Sequence, residues 1–450
     1  MEQIEKLLIP DTADLADAMA AIRSNARGII LVHDIKHRVV GMLTDGDISK
    51  ALLKHEDLHA PVTENMNRDF VWVPKGTPKE TTLRLLDARI RAIPVLDNAG
   101  QLITLVSTGY LEARPETYAR AKAPIRISLA GGGTDFTNYF TEHGGVSLSA
   151  TIAKHSHAIL RKRQDREIVI YSHDLNKTST HADIHHLEYD GTLDLIKAGI
   201  NVMKPQFGFE LSLSSDFLPG SGLGGSATAL SAIIGCLNEC RDDRLDNYLI
   251  AEHAFEAERI ELGISGGWQD QYSTVFGGFN FIEFGKSQNT VTPLRINRET
   301  LCELEERFLM CYTGTPHLGE EIQAKNCGHE PNTPEILKFA EEIKSIAYLM
   351  KSHLVRGSLA DFGAMLNETW QLKKQFNSQV TNDNIDAIYD AAIKSGAEGG
   401  RLLGTGGGGY FLFFVKPFER FRVAQAMEKM GLATESVVFD DKGLQSWTAR

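Results

Sequence analysis

One run of small residues has the composition of a phosphate seat: Leu218-Pro219-Gly220-Ser221-Gly222-Leu223-Gly224-Gly225-Ser226-Ala227-Thr228. Small residues running into a helix start leave backbone N–H groups unpaired and aimed outward, and such groups bind anions. Two other glycine-rich segments, Arg126–Asp135 and Gly404–Gly409, flank this one in the chain. Gly220-x-Gly222-x-x-Gly225 fits the dinucleotide fingerprint, yet Arg241-Asp242-Asp243-Arg244 and another helical pattern follow where a second parallel strand ending in an acid is required. A P-loop needs Lys where Ser226 stands. A third design of phosphate seat is needed; were its chemistry phosphoryl transfer, it would require a cradle, a metal ligand, a charge stabiliser and a group to steer the acceptor hydroxyl.

The elements that hold these residues are legible from periodicity. Phe209, Leu211 and Leu213 alternate as in a strand, and Ala227, Leu230, Ile233, Ile234 and Leu237 recur as on one helix face. Ser226 opens that helix, where its hydroxyl either caps the helix or ligates Mg²⁺. In a second helix, Ala251, Ala254, Phe255, Glu258 and Leu262 share a stripe, while Glu252, Glu256 and Glu261 point elsewhere. An inward carboxylate must be paired with an Arg or bind a metal, so Glu258 is a candidate ligand. Asp270 sits in the glycine-rich, mostly uncharged segment Gly263–Gly278, either capping a loop or orienting an acceptor hydroxyl. Arg126 would offset charge developing on the transferred group.

The middle segment from Pro219 to Ala227 resembles the Pro-x-x-x-Gly-Leu-(Gly/Ala)-Ser-Ser-Ala motif of the GHMP kinases, with Gly225 in place of the first Ser. Pro124-Ile125-Arg126 through Gly131-Gly132-Gly133-Thr134-Asp135 resembles their first motif, and Leu403-Gly404-Thr405-Gly406-Gly407-Gly408-Gly409 their third. The resemblance spans residues 122–450 and implies a two-lobed α+β kinase. It implies ATP as co-substrate, phosphates on Pro219–Ala227, and Mg²⁺ on Ser226 and Glu258. Asp270 falls where relatives carry the residue proposed as general base. Sugar contacts are expected from Arg126, Gly132, Gly133, Thr134, Asp135, Gly406 and Gly407.

Within that superfamily the chain is most similar to D-glycero-D-manno-heptose 7-phosphate kinases. The segments carrying this likeness are Arg126–Phe136, Gly266–Tyr272, Phe276–Phe281, Trp370–Lys374 and Gly396–Gly404. The implied reaction moves the γ-phosphoryl of ATP to the anomeric hydroxyl, giving the 1,7-bisphosphate. Lys373, Lys374 and Arg401 are candidates for the substrate phosphate. After Tyr312-Thr313-Gly314, where an Arg is expected nearby, the chain reads Thr315-Pro316-His317. Fucose or another sugar as acceptor, and a non-catalytic sensor on the same fold, are the rival readings.

Residues 1–110 hold an internal repeat at an offset of 63. Gly28–Asp34 returns as Arg91–Asp97, and Gly41–Asp47 as Thr104–Tyr110. Repeats this short cannot bury a core alone and must pack as a pair. They resemble a CBS domain pair (an α/β Bateman module), which implies an adenine nucleotide held by Thr44 and Asp47. Ser107 matches Thr44, but Tyr110 stands where the second Asp would be. The alternative is a regulatory or dimerising module that makes a homodimer.

Composition sets the outer limits. The chain has 450 residues and a formal net charge of −12, which argues against a nucleic-acid surface and makes anion binding a local matter. No apolar run reaches the roughly 20 residues of a membrane span, the start of the chain lacks signal-peptide order, and the five cysteines form no CxxC; a cytoplasmic protein is expected. His181, His185 and His186 have spacing that could grip a metal, without a completing ligand set. Cys236 and Cys240 are expected to pack the buried side of the helix after the phosphate seat. The expected division is a CBS pair over 1–112, a linker over 113–122, an ATP-binding lobe over 123–290 and a C-terminal lobe over 291–450.

Overall fold

The computed structural model describes all residues except 1–5, 26, 55–56, 87–89, 108–117, 317–332 and 450. The chain divides into two compact units, Met1–Pro115 and Glu116–Arg450.

In the first unit the repeat becomes two three-stranded sheets. Strand β1 (Leu8–Pro10) lies parallel to β2 (Ile29–His33), which pairs antiparallel with β3 (Val39–Thr44). The second copy sets β4 (Val73–Pro74) parallel to β5 (Ala92–Leu96), antiparallel to β6 (Leu102–Ser107). Even the irregularities repeat: the ladder slips between Val32 and His33 in one copy and between Val95 and Leu96 in the other. Leu7, Ile29 and Leu31 share one apolar cluster with Ala92, Leu96, Leu102 and Leu105, so each copy supplies part of the other's core. At the end of β3, Thr44 caps the helix Asp45–Leu53, and Thr44 and Asp47 bond reciprocally as a capping box. Ser107 closes β6; Tyr110 lies outside the described residues.

The second unit is built on an eight-stranded sheet and a four-stranded one. In the large sheet β7 (Tyr118–Ala130) runs antiparallel to the long β8 (Gly145–Lys162). Strand β9 (Ile168–Ser172) joins β10 (Lys177–His181) to β11 (Phe209–Ser215), and β11 pairs with the far end of β8. The near end of β8 takes β12 (Phe279–Phe284), followed by β13 (Asn289–Pro293). The small sheet orders β14 (Phe308–Tyr312), β15 (Ala397–Leu402), β16 (Tyr410–Val415) and β17 (Thr434–Ser436) as β15-β16-β14-β17. This is the expected α+β architecture, with one parallel pair in an otherwise antiparallel frame.

Two boundaries differ from the sequence reading. Residues 118–122, assigned to the linker, already form the start of β7; the rest of that linker lies outside the described residues. The strand β18 (Gln445–Ala449), assigned to the C-terminal lobe, returns to pair with β7 in the large sheet.

The helix Gly225–Asn238 lies against β7 and β8, and every residue from Ala227 to Asn238 is buried. It is therefore buried all round, not on one face, with Thr228, Ser231 and Asn238 inside along with the apolar residues. Cys236 is fully buried in it, its thiol bonding to the carbonyls of Ala119 and Ala158; Cys240 lies just beyond the helix end and is half-buried. Among the described residues no helix is long and apolar enough to cross a membrane.

The returning C-terminal segment docks where the helix Gln269–Phe276 ends. Leu444 N–H donates to Val275 O and Gly278 N–H to Asp440 O. Gly277 there has φ +67°, and a Cβ on it would stand 1.9 Å from the Gly443 nitrogen. Gly277→Ala combines that clash with a disfavoured φ and is expected to destabilise the second unit by about 2–4 kcal/mol in urea unfolding. An unchanged midpoint would show that the close approach is unimportant.

Candidate active site

The three glycine-rich segments meet through their backbones. In the middle one Gly220, Gly222 and Gly224 have φ values of +73°, +78° and +77°, alternating with residues of ordinary φ. Alternating hand curls successive N–H groups to one side, the geometry of an anion nest. The carbonyls are taken up on the other side. Leu223 O accepts from Arg126 N–H and Gly222 O from Arg126 Nη1 at 2.9 Å. The third segment closes over the same surface. A Cβ on Gly404 would lie 2.7 Å from Gly222 O, and one on Gly409 2.6 Å from Ser221 O. Glycine at these positions is demanded by backbone approach.

Arg126 is the hub of the first segment. Its Nε and Nη2 grip the two carboxylate oxygens of Asp270 at 2.8 and 2.7 Å, with Arg126 only 4% exposed. Sequence reasoning named both residues but not their pairing, which joins positions 144 apart. Asp135 is fixed close by: its oxygens accept from the N–H groups of Gly133 and Gln269, both at 3.1 Å. Burial pushes the Asp135 carboxyl above its usual range, and the neighbouring Asp270 charge adds to this.

Glu258 is buried, as its stripe implied, although the helix Asn247–Phe255 continues as a π-helical turn over Glu256–Glu261. Such turns recur at functional sites. Its Oε2 accepts from Gln271 Nε2 at 2.7 Å and lies 3.3 Å from Arg259 Nη2. Burial raises its carboxyl, the Arg259 charge opposing.

These groups line one cavity of about 660 Å³. Its wall includes Arg126, Gly132, Gly133, Asp135, Pro219, Gly220, Ser221, Gly222, Gly224, Gly225, Ser226, Ala227, Glu258, Asp270, Lys373 and Arg401. Lys373 donates to Gly404 O, and burial beside Arg401 and Arg126 holds its ammonium well below the ordinary lysine range. Arg401 donates to Leu129 O at 2.9 Å, and burial brings it down to about 10 with Arg126 contributing. Three basic side chains thus converge on one space, where Asp270 is bonded to Arg126.

Other expected residues fall outside the cavity wall. Thr134 is fully buried; its hydroxyl lies 2.9 Å from both Gly131 O and Val146 O, with one proton to donate between them, and accepts from Val146 N–H, so it fastens the first segment to β8. The Leu223 side chain lies in the core. Gly406 and Gly407 pack on Val380, where a Cβ on Gly406 would meet that side chain at 2.6 Å and Gly407 N–H donates to Val380 O. Lys374 turns away to Asp386 at 3.2 Å, because successive helical residues point about 100° apart. Ser226 lies in the first helical turn with Gly224 as the N-cap, which removes its capping role and leaves its hydroxyl at the wall. His186 pairs with Asp183 and His181 with the His186 carbonyl, so these histidines form no shared ligand site.

Some lining residues carried no readable signal. Gln269 accepts from the hydroxyls of Ser128 and Ser147, and its N–H holds Asp135. Ser172, Asp174, Leu175, Leu195, Ile196, Leu213, Ser215 and Phe217 form a mixed, largely apolar wall beside the start of the glycine loop. Phe339 stacks on Phe376 at 4.3 Å and faces Gly133. These residues come from strand ends and helices distant in sequence, where hydrophobic positions look like ordinary core.

Comparison with known proteins agrees with this arrangement. The N-terminal domain of the GHMP kinases matches residues 193–278, their C-terminal domain residues 350–432, and CBS domains residues 5–54 and 60–108. A D-glycero-alpha-D-manno-heptose 7-phosphate kinase of Campylobacter jejuni is 36% identical over 334 residues, covering 73% of this chain and 98% of that protein. L-fucokinase/L-fucose-1-P guanylyltransferase of Bacteroides fragilis is 28% identical over 341 residues, 69% of this chain but 36% of that longer protein. The crystal structure of a D-glycero-D-manno-heptose 1-phosphate kinase from Bacteroides thetaiotaomicron superposes with a TM-score of 0.63 at 29% identity, over 74% of this chain and 99% of that one. A nest-shaped glycine loop, an Arg–carboxylate pair and these likenesses lead to one conclusion: the chain belongs to the GHMP kinases, a family of phosphotransferases, and carries a CBS domain pair at its N-terminus.

Proposed function

We propose that this kinase transfers the γ-phosphoryl of ATP to the anomeric hydroxyl of D-glycero-D-manno-heptose 7-phosphate, giving the 1,7-bisphosphate. The observation that carries the phosphorylated substrate is the convergence of Arg126, Lys373 and Arg401 in one cavity beside the phosphate nest. A neutral sugar gives no reason to gather a lysine and two arginines in one buried site. Arg126 is paired with Asp270, but Lys373 and Arg401 bond to carbonyls, and burial disfavours their charged forms until an anion arrives. The likeness to a heptose 7-phosphate kinase over 98% of that relative's length supports the same sugar. The segment after Gly314 lacks an Arg, and its start packs against the third glycine segment, with Gly409 N–H on Thr315 O. Lys373 and Arg401 supply positive charge in its place.

In this reading ATP phosphates rest on the N–H groups of 220–225, and the apolar wall around Leu175, Leu195, Ile196 and Phe217 takes the adenine. Glu258 and Ser226 fit a hard cation: both Glu258 contacts fall on Oε2, leaving Oε1 for a ligand, and the Ser226 hydroxyl is exposed. Mg²⁺ held there would neutralise the nucleotide phosphates. Asp270 has both oxygens engaged by Arg126, so it orients the acceptor hydroxyl through a remaining lone pair and takes the proton late. Arg126, tied to the loop carbonyl at Gly222, stands ready to stabilise charge on the moving phosphoryl. Asp135 receives a sugar hydroxyl. At the N-terminal pair, Thr44 and Asp47 are proposed to hold an adenine nucleotide.

Asp270→Asn is expected to lower kcat by about 10²–10⁴-fold while MgATP affinity changes little. Lost affinity with intact turnover would contradict its role. A coupled assay over heptose 7-phosphate, fucose and other hexoses should show turnover with the phosphorylated heptose; turnover with free hexoses alone would assign the substrate to the fucokinase-like reading.

A protonation test addresses Lys373. Burial beside Arg401 and Arg126 lowers its pKa, and an arriving phosphate favours the charged form, so binding takes up a proton at pH values between the lowered value and 10.5. Calorimetry in buffers of differing ionisation enthalpy should reveal this uptake with heptose 7-phosphate. Lys373→Met should abolish it. Equal uptake in the variant would place the titrating group elsewhere.

A further inference from the structure

A second set of ligating side chains lies off the cavity wall, on the opposite side of the segment that leads into the glycine loop. His155 and His157 project from β8, and Asp216 follows the end of β11, which pairs with β8 there. Asp216 Oδ2 lies 3.1 Å from His157 Nε2 and 3.9 Å from His155 Nδ1, and the three ligand atoms fall within 4.8 Å of one another. In a tetrahedral centre with bonds of about 2.0–2.1 Å, ligand atoms stand about 3.3 Å apart; the Asp216–His157 pair is already near that spacing, and His155 must move inward to join it.

The surroundings are arranged as for a metal ligand. The other ring nitrogen of His155, Nε2, is bonded to Asp440 Oδ2 at 3.0 Å, which directs the Nδ1 lone pair toward Asp216. Asp440 is itself fixed by the N–H groups of Lys442 at 2.9 Å and Gly443 at 3.1 Å. Asp216 is anchored by the His155 N–H on its Oδ2 at 3.2 Å. At 3.9 Å the His155 nitrogen and the Asp216 carboxylate are too far apart to hydrogen-bond, yet they face each other across a gap a cation would fill.

We propose that His155, His157 and Asp216 bind a zinc-class divalent ion, with Asp440 orienting His155 from behind. Two imidazoles and one carboxylate suit such an ion better than Mg²⁺ or Ca²⁺, which favour oxygen alone. The charges of Asp216 and Asp440 balance it. Asp216 stands between Ser215 and Phe217, both on the cavity wall, so the ion would pin the stem of the glycine loop to β8 and to the C-terminal segment. It takes no part in phosphoryl transfer.

The test uses the full-length chain stripped with a chelator and titrated with Zn²⁺ against a colorimetric competitor, Mg²⁺ being in excess to occupy oxygen-only sites. One Zn²⁺ per chain is expected, with Co²⁺ giving the visible absorption of a tetrahedral centre. His157→Gln and Asp216→Asn should each weaken binding at least 100-fold with an unchanged circular dichroism spectrum. Asp440→Asn should weaken it about 10–100-fold without abolishing it. The thermal midpoint should rise with Zn²⁺ in the parent protein and not in the first two variants. No binding by the parent, or equal binding by both variants, would overturn the assignment.

Discussion

The bond between Arg126 and Asp270 organises the second unit. A bidentate guanidinium–carboxylate pair in a dry setting is strong only when both partners are held in register, and removal of either leaves a buried charge. Each partner is therefore fixed by its own element. Arg126 sits in the middle of β7, and Asp270 in the first turn of the helix Gln269–Phe276. The third arm of the guanidinium reaches Gly222, so one side chain couples a strand, a helix and the glycine loop. The cavity is the space left around that junction.

The glycine segments show how one signal can have two causes. Gly220, Gly222 and Gly224 supply a left-handed backbone that curls N–H groups toward a ligand. Gly404 and Gly409 have positive φ as well, +69° and +91°, and in addition another backbone passes within reach of where a Cβ would be. Both read as glycine-rich in sequence. Gly406 and Gly407, which the resemblance assigned to the sugar, pack on Val380.

Much of the architecture was legible where a pattern is local or exactly repeated. The offset of 63 extends to the ladder slips at Val32/His33 and Val95/Leu96. The inward stripe at Glu258 survives a change of helix type, because burial depends on which face is apolar more than on the pitch of one turn. What escaped are relations between distant segments. Nothing in the neighbourhood of residue 126 or 270 reports that they pair, and nothing near Gln445 reports that it returns to β7. Lys373 and Lys374 are chemically alike, and only the angular position of their helix decides which one enters the cavity. The histidines spaced for a metal in sequence, His181 to His186, form no shared site, whereas His155 and His157 acquire Asp216 and Asp440 only through the sheet.

The return of β18 to β7 bears on how the protein is made. During synthesis β7 leaves the ribosome first among the strands of its sheet, and its outer neighbour follows some 320 residues later. At 5–20 residues per second that delay is roughly 15–65 s. For that period the outer edge of β7 is an open template for pairing with other chains. The edge is written to discourage this: Arg120 and Lys122 alternate with the buried Ala119, Ala121 and Ala123, placing positive charge on the strand while its backbone is unpaired. Charge at those two positions is what keeps an unpaired edge from pairing with other chains, so the alternation along β7 matters most before the fold is complete.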